Sequence, residues 1–198
     1  MISINTNYGG LFASKAASQS QRMLDTAMER LSTGKRINYA TDDAAGQAIA
    51  VRLQAEIEGI AMASRNVADA QSLMDTADGA LAETHNILLR MRELAVQAST
   101  GTLNSDDNAA LDAEFQQLEA EVDRIAANTS WAGKELLTSL AVTFQVGTGN
   151  TSNDRISVTM PDADAATLGI QASTTLQTMS KAQGAIAVLD TAISKISE

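Results

Sequence analysis

The sequence has no cysteine and a single histidine, His85, among 198 residues. Without cysteine the chain forms neither disulfides nor thiolate metal sites. One histidine is too few for a histidine-based zinc site. We therefore predict no metal, no cofactor and no catalytic residues, and we interpret His85 as a solvated residue of a helix.

Aromatic residues make up only 3% of the chain, and Pro161 is its one proline. So few rings argue against a bulky core built around a pocket, and the many alanines, leucines, glutamates and glutamines favour helices. The net charge of −10 disfavours nucleic acid and anionic membranes as partners. The N-terminus lacks the basic start and apolar run of a cleaved signal peptide, and no stretch approaches the roughly 20 apolar residues of a membrane span.

What the chain does have is an apolar side chain at every seventh position over 43 residues. The members are Leu53, Ile60, Val67, Met74, Leu81, Leu88 and Ala95. Such a repeat places one narrow apolar seam along a helix, as in helices that pack side by side. We predict a long helix that starts after Thr41, beside the helix-starting Asp42 and Asp43, and ends near Ser99-Thr100-Gly101.

A second apolar stripe follows, and we expect it to pack against the first. Its members are Leu111, Phe115, Leu118, Val122 and Ile125. Asn104 or Ser105 can cap this helix, and the short loop before it makes the two helices antiparallel neighbours. The predicted packing seam consists of Leu53, Ile60, Val67, Met74, Leu81 and Leu88 facing the five residues of the second stripe.

The remaining segments complete a mainly α fold. An amphipathic helix is predicted from about Leu11 to Ser32, ending at Gly34. Alternating residues from Leu140 to Val146 and from Ile156 to Met160 predict a β-hairpin. Helical spacing returns from about Thr174. The expected architecture is a long antiparallel helical rod, like a coiled-coil bundle, with a β-hairpin and an N-terminal amphipathic helix.

Two groups of charged residues have more than one interpretation. Glu119 and Asp123 lie one helical turn apart, which suits general acid–base catalysis, but a solvated helix face explains them more simply. Arg90 and Arg92 flank Met91 and suit either a docking patch or the solvated edge of the long helix. On residue types alone the solvated edge is favoured for both groups.

Three long stretches resemble bacterial flagellins. The first runs from Leu31 to Asn38 and continues with Asp42-Asp43-Ala44-Ala45-Gly46. The second is Arg90 to Ala98, and the third is Asn128 to Leu137. The opening Ile2-Ser3-Ile4-Asn5-Thr6-Asn7 is similar too, so the resemblance spans nearly the whole chain.

The resemblance implies a subunit that polymerises into the flagellar filament. In that picture residues 1–34 form an inner-tube helix, 35–43 a connecting spoke and 44–138 a helical rod. Residues 139–172 form the hairpin and connector, and 173–198 the start of the C-terminal rod helix. Flagellins continue beyond the point that matches Glu198, so we expect this chain to be a truncated form or fragment of a small flagellin.

The resemblance also implies partners and contact residues. Flagellins are exported without signal cleavage by the flagellar export apparatus, assemble beneath a cap with other flagellin subunits, and are extracellular. In many of them one rod surface contacts the next subunit and is bound by the vertebrate Toll-like flagellin receptor. The matching residues here are Arg90, Leu94 and Glu114, with Arg92 beside them and Leu89 where glutamine is common.

Two rival interpretations stay open at this point. A hook–filament junction protein shares the terminal architecture and the Ser-Thr-Gly-Lys-Arg motif, although the Arg90 and Asn128 stretches favour flagellin. A cytoplasmic coiled-coil adaptor would explain the long helices but not the β-hairpin or the flagellin-like N-terminus.

Overall fold

A computed structural model describes residues 7–171 and 173–197. Residues 2–6 of the opening motif lie outside this range. The elements in chain order are α1 (Tyr8–Thr33), α2 (Ala44–Ala98), α3 (Ser105–Asn128), β1 (Ser130–Trp131), β2 (Lys134–Glu135), β3 (Ala141–Gln145), a 3₁₀ turn (Ser152–Asp154), β4 (Arg155–Thr159), α4 (Ala165–Leu168) and α5 (Met179–Ser197). The predicted mainly α class is confirmed. The chain divides into two compact units, 1–58 and 59–198, which are described separately.

In the first unit, both ends of α1 are set by local chemistry. The Asn7 side chain accepts a hydrogen bond from the Gly10 N–H at 3.0 Å and caps the start. At the other end Gly34 adopts a left-handed conformation with φ of 67° and donates to the Arg30 carbonyl. The predicted helix and its glycine stop are confirmed, with three further residues at the N-terminus.

The link between α1 and α2 is organised by Asp42. Its carboxylate accepts the backbone N–H groups of Asn38 at 3.1 Å and Tyr39 at 3.2 Å. These two bonds favour the charged form and lower the pKa of Asp42 below its usual value. Asp43 then caps α2 by accepting the Gly46 N–H at 2.9 Å. The predicted start of the long helix is confirmed.

The second unit has its main core where the C-terminal part of α2 meets α3 and α5. Leu88, Phe115, Val122 and Leu189 are fully buried in one cluster. Asn104 caps α3 in a reciprocal arrangement with Asp107, at 2.8 Å from the Asp107 N–H. The predicted antiparallel helical hairpin is confirmed.

The predicted seam is covered along only part of its length. Leu88 is 0% exposed, and Leu81 is partly buried beside the smaller cluster that contains Ala126. In the second unit Ile60, Val67 and Met74 are 57%, 36% and 37% exposed, so the prediction that they face α3 is wrong, and Leu53 in the first unit is 49% exposed. The reason is the phase of the helix, because the buried Leu73 and Ala77 lie on the turns next to Met74 and the covered face of α2 is displaced around the helix from the repeat.

The predicted β-hairpin is confirmed and rests on α2. Strands β3 and β4 pair antiparallel, with Phe144 opposite Ile156. The Asn66 side chain donates to the Gln145 carbonyl at 2.9 Å. A Cβ atom at Gly59 would lie 2.8 Å from Cγ2 of Thr148, so a glycine on α2 is what allows the hairpin tip to approach this closely.

The segment before α5 departs from the prediction of a helix starting near Thr174. The Leu176 side chain is fully buried, and its backbone N–H donates to the Asp112 carboxylate at 2.7 Å. The Gln116 side chain donates to the Thr174 carbonyl at 3.3 Å. Residues of α3 thus satisfy the backbone that helix bonds would otherwise use, and α5 begins only at Met179.

Glu119 lies on α3 between Asp112 and Asp123, and its charged form destabilises the folded state. Among the described residues its Oε2 atom is buried without a hydrogen-bond partner. Burial raises the pKa of Glu119, and the charges of Asp123 and Asp112 raise it further. Asp123 itself accepts the Ala165 N–H at 2.8 Å, which gives this carboxylate a structural role.

We expect Glu119→Gln to raise the thermal midpoint of unfolding at neutral pH. Because the folded-state pKa is raised, the charged form weakens the fold fully above that pKa, and the penalty disappears below the usual pKa of a carboxyl. The gain should therefore vanish in acid. Thermal melts at both pH values test this, with Glu56→Gln, at an exposed position, as the matched control. Equal shifts in the two variants would contradict the burial argument.

Candidate contact surfaces

The structure brings Arg90 of α2 and Glu114 of α3 together, two residues that the resemblance assigns to one contact surface. Nε and Nη2 of Arg90 donate to Oε1 of Glu114 at 3.1 and 2.9 Å, and Nη1 donates to Oε2 of Glu93 at 3.0 Å. The bonds to Glu114 and then Glu93 raise the pKa of Arg90. The Arg90 side chain remains 51% exposed, so a preorganised cation with two carboxylates faces outward.

The other predicted contact residues lie in different environments. Nε of Arg92 donates to Oδ1 of Asp190 at 2.7 Å and so ties α2 to α5. Leu89 is 43% exposed and available at the surface. Leu94 is 1% exposed and belongs to the main core. The expectation that Leu94 lies on a contact surface is therefore corrected. Leu94 lies on the face of α2 that packs against α3 and α5, in one cluster with Phe115 and Leu189.

A shallow depression adjoins Arg90 on the outer side of α2. It is lined by Leu89, Arg92, Glu93, Val96 and Gln97. Val96 is 48% exposed and was not among the predicted contact residues. The signal that could have identified it is its spacing, because positions 89, 92, 93 and 96 share one helix face.

A second exposed surface is apolar and follows the uncovered part of the seven-residue repeat on α2. Within the first unit Ile49, Leu53 and Ile57 are 50%, 49% and 60% exposed. These side chains lie within about 80° of one another around the helix. An apolar stripe of this kind is a surface for packing against another helix.

Neither a metal cluster nor a spanning helix is found in the part of the chain that the structure describes. No three His, Cys, Asp or Glu side chains among residues 7–171 and 173–197 are placed to hold a metal ion. The same residues contain no helix long and apolar enough to cross a membrane.

Comparison with known proteins decides the family. The protein-family model described as the bacterial flagellin N-terminal helical region matches residues 4–141 of this chain. The chain belongs to the flagellin family. Flagellins are structural proteins and not enzymes, so we do not assign acid–base catalysis to Glu119 and Asp123.

Individual flagellins agree with this assignment. The flagellin of Halalkalibacterium halodurans is 43% identical over 87% of this chain and 64% of its own length. Flagellin E of Vibrio cholerae is 38% identical over 85% of this chain and 45% of its own length. A flagellin of Salmonella muenchen is 44% identical over 84% of this chain and 33% of its own length. The chain thus spans between one third and two thirds of these relatives.

Solved structures agree as well. Bacillus cereus flagellin matches with a TM-score of 0.58 and 37% identity, covering 67% of this chain and 77% of that one. A putative flagellar hook-associated protein from Vibrio parahaemolyticus gives a TM-score of 0.63 at 13% identity, over 80% of this chain and 84% of that one. The second likeness shows a shared fold alone.

Proposed function

We propose that this flagellin is a structural subunit of the bacterial flagellar filament and works there through helix packing with other subunits. The observation that carries the proposal is the apolar stripe on the N-terminal part of α2, where Ile49, Leu53 and Ile57 are 50%, 49% and 60% exposed. Water-exposed apolar stripes of this length are unusual in monomers and suit a surface that assembly covers. The division into inner-tube helix 1–34, spoke 35–43, rod 44–138, hairpin and connector 139–172 and rod helix 173–198 belongs to this proposal.

The same proposal includes the export route of the protein and the partners with which it assembles. The relatives that support this inference are named flagellins, and the family model covers residues 4–141. We infer export through the flagellar apparatus without signal cleavage, and assembly beneath the filament cap. Secretion assays in export-deficient cells would test the route, because loss of the protein from the medium is the expected result.

We expect Leu53→Asp to shorten or abolish filaments. The new carboxylate would lie in the apolar stripe and would lose its hydration when another helix covers it. Electron micrographs of bacteria that make the wild-type or the variant protein measure the effect. The matched control is Ala55→Asp, which adds the same charge at an exposed position about 200° around the same helix.

Both substitutions lie on exposed positions, so neither should change the folding stability by more than about 1 kcal/mol, most of it from the lower helix propensity of aspartate. Long filaments with Leu53→Asp, or equal loss with both variants, would contradict the packing role of the stripe. Wild-type cells without any filament built from this protein would contradict the proposed function itself.

A second contact function is favoured by the geometry around Arg90. Its guanidinium is held by Glu114 and Glu93 at about 3 Å yet is half exposed, beside the exposed Leu89 and Val96. A fixed arginine next to apolar side chains is typical of an interface hot spot. We infer that this surface contacts a second molecule, which is either the next subunit or the vertebrate Toll-like flagellin receptor.

We expect Arg90→Ala to leave folding nearly unchanged and to weaken receptor binding or filament growth by about 1–2 kcal/mol or more. The intramolecular ion pairs of Arg90 are exposed and screened by water, so they contribute little to stability. Arg124→Ala is the matched control, since Arg124 is also exposed and pairs with Glu121 on its own helix. Receptor affinity and filament length, together with a melt, distinguish the two variants. Normal receptor binding and normal filaments with Arg90→Ala would show that Arg90 is a solvated residue at the edge of α2 and not a contact residue.

A further inference from the structure

The backbone hydrogen bonds of the β-hairpin show which groups of its two strands point outward. The Val146 N–H donates to the Asp154 carbonyl and the Met160 N–H to the Leu140 carbonyl, both at 2.8 Å. In an antiparallel ladder the residues that bond across it alternate with residues whose N–H and C=O groups point away from it. The even-numbered residues of β3 and β4 therefore bond to each other, and the odd-numbered residues present their backbone groups at the two outer edges.

The two outer edges of the hairpin have different surroundings. On the β3 side the Gln145 carbonyl accepts from the side chain of Asn66 on α2 at 2.9 Å, so this edge lies against the long helix. On the β4 side Arg155, Ser157 and Thr159 are exposed. Within residues 7–171 and 173–197 no hydrogen bond engages the backbone N–H or C=O of Ser157 or Thr159. The edge of β4 is therefore an open strand edge.

This edge carries an exposed apolar side chain and little of the usual protection of an open strand. Ile156 is 53% exposed, although Phe144, directly opposite it in the ladder, is partly buried. Natural edge strands are protected by charged side chains, prolines or bulges. The charge on β4 comes from Arg155, whose guanidinium donates back to Gln145 and Asn150 of the hairpin itself. An open edge of this kind suits the addition of a further strand.

We propose that β4 pairs antiparallel with β4 of a second copy of this chain, around a two-fold axis at Ser157. In this register Ser157 lies opposite its own equivalent, and Arg155 lies opposite Thr159 of the other copy. The Arg155 N–H already donates to the Ser152 carbonyl. The new backbone hydrogen bonds therefore join the two copies of Ser157 to each other and each Thr159 N–H to an Arg155 carbonyl.

The side-chain pattern of β4 favours a second copy over an unrelated strand. Arg155, Ser157 and Thr159 are polar and alternate with the apolar Ile156 and Val158, so the pattern is symmetric about the centre of the strand. In the two-fold register Ile156 lies opposite Val158 of the other copy, which covers its exposed part. A two-fold contact closes on itself, so it joins two unassembled subunits and does not propagate along a filament. The inference does not rest on the proposed filament function.

A single introduced cysteine tests the register, because the chain has no cysteine of its own. In the dimer the two residues at position 157 lie directly opposite each other, with Cα atoms about 5.5 Å apart, a separation that a disulfide bridges. Copper phenanthroline with dissolved oxygen is the oxidant that accepts the electrons and protons of the two thiols.

We expect Ser157→Cys to form a disulfide-linked dimer about tenfold faster or more than Thr143→Cys. Position 143 is also exposed and lies on the same face of the hairpin, but it belongs to β3. Nonreducing gels of the full chain measure both rates. Equal rates, or no crosslinked dimer with Ser157→Cys, would overturn the proposal.

Two proline variants measure the affinity of the dimer. Ser157→Pro removes an outward N–H of β4 and Thr143→Pro an outward N–H of β3, so neither removes a bond of the ladder. Each also removes one member of the Thr143–Ser157 hydroxyl pair, whose oxygens are 2.9 Å apart, so the variants are matched in this respect. Circular dichroism melts of both variants check that the fold is retained.

Sedimentation velocity of the full chain at concentrations up to about 1 mM gives the dissociation constant of the dimer. We expect Ser157→Pro to raise it about tenfold or more, and Thr143→Pro to leave it within about twofold of the unmodified chain. Equal effects of the two prolines would contradict pairing through β4. An unmodified chain that stays monomeric over the whole range would overturn the proposal.

Discussion

Leu88→Ala should lower the free energy of unfolding by about 2–5 kcal/mol, the range for truncation of a buried leucine. The Leu88 side chain is fully buried among α2, α3 and α5, so the removed methyl groups leave a cavity that the neighbouring helices fill only in part. Leu53→Ala is the same change at an equivalent position of the same seven-residue repeat. It should lower the free energy by less than about 1 kcal/mol, because Leu53 is 49% exposed. Urea unfolding followed by circular dichroism measures both.

The variants Leu88→Ala and Leu53→Ala also test whether the seven-residue repeat of α2 is buried only in its C-terminal half. Leucine and alanine are both strong helix formers, so helix propensity changes little in either variant. Similar losses at Leu53 and Leu88 would mean that the N-terminal half of the repeat is covered in the monomer. A negligible loss at Leu88 would mean that α3 and α5 do not pack on α2 at this point.

Local signals in the sequence predicted the ends of the helices well. Gly34, Asp43 and Asn104 each act through their own side chain or backbone freedom on residues at most four positions away. Because the interacting groups are close in sequence, the pattern of residue types is sufficient to predict them. The β-hairpin was predictable for the same reason, since alternating apolar residues flank one turn-rich loop.

Relations between distant segments were harder to predict. The seven-residue repeat indicates that α2 has one apolar side, but it does not say which part of that side a shorter helix covers. The late start of α5 depends on Asp112 and Gln116, which lie more than 50 residues earlier in the chain. The two-residue strands β1 and β2 were not predicted either, since Trp131 and Lys134 form too short a ladder to give a periodic signal.

The contact surface shows the same division between local and long-range information. The assignment of Arg90 and Glu114 to one surface came from the resemblance to flagellins, whereas their ion pair, with N and O atoms 2.9 Å apart, is seen only in the structure. The resemblance alone could not show that Leu94 is buried, because burial depends on how α5 lies against α2. Val96 could have been identified from its spacing to Leu89, but only once that helix face was known to be exposed.

Asp112→Ala should lower the free energy of unfolding by about 2–4 kcal/mol. Asp112 is itself buried, and its carboxylate accepts the Leu176 N–H at 2.7 Å and the Gln177 side-chain amide at 3.2 Å. Alanine would leave the buried Leu176 N–H without an acceptor, and an unsatisfied buried donor costs about 1–3 kcal/mol. The loss of the second bond and of packing volume adds to this. Urea unfolding again measures the change, and amide exchange at Leu176 reports it locally.

Asp112→Asn is the informative control because it keeps the shape of the side chain. Its Oδ1 can still accept the Leu176 N–H, and its amide can donate to the Gln177 oxygen if the Gln177 amide rotates. We expect a loss below about 1.5 kcal/mol and retained protection of the Leu176 amide. Equal losses for alanine and asparagine would assign the effect to the negative charge and not to the hydrogen bonds. Unchanged stability in both variants would mean that the segment before α5 is held in place by burial of the Leu176 side chain alone.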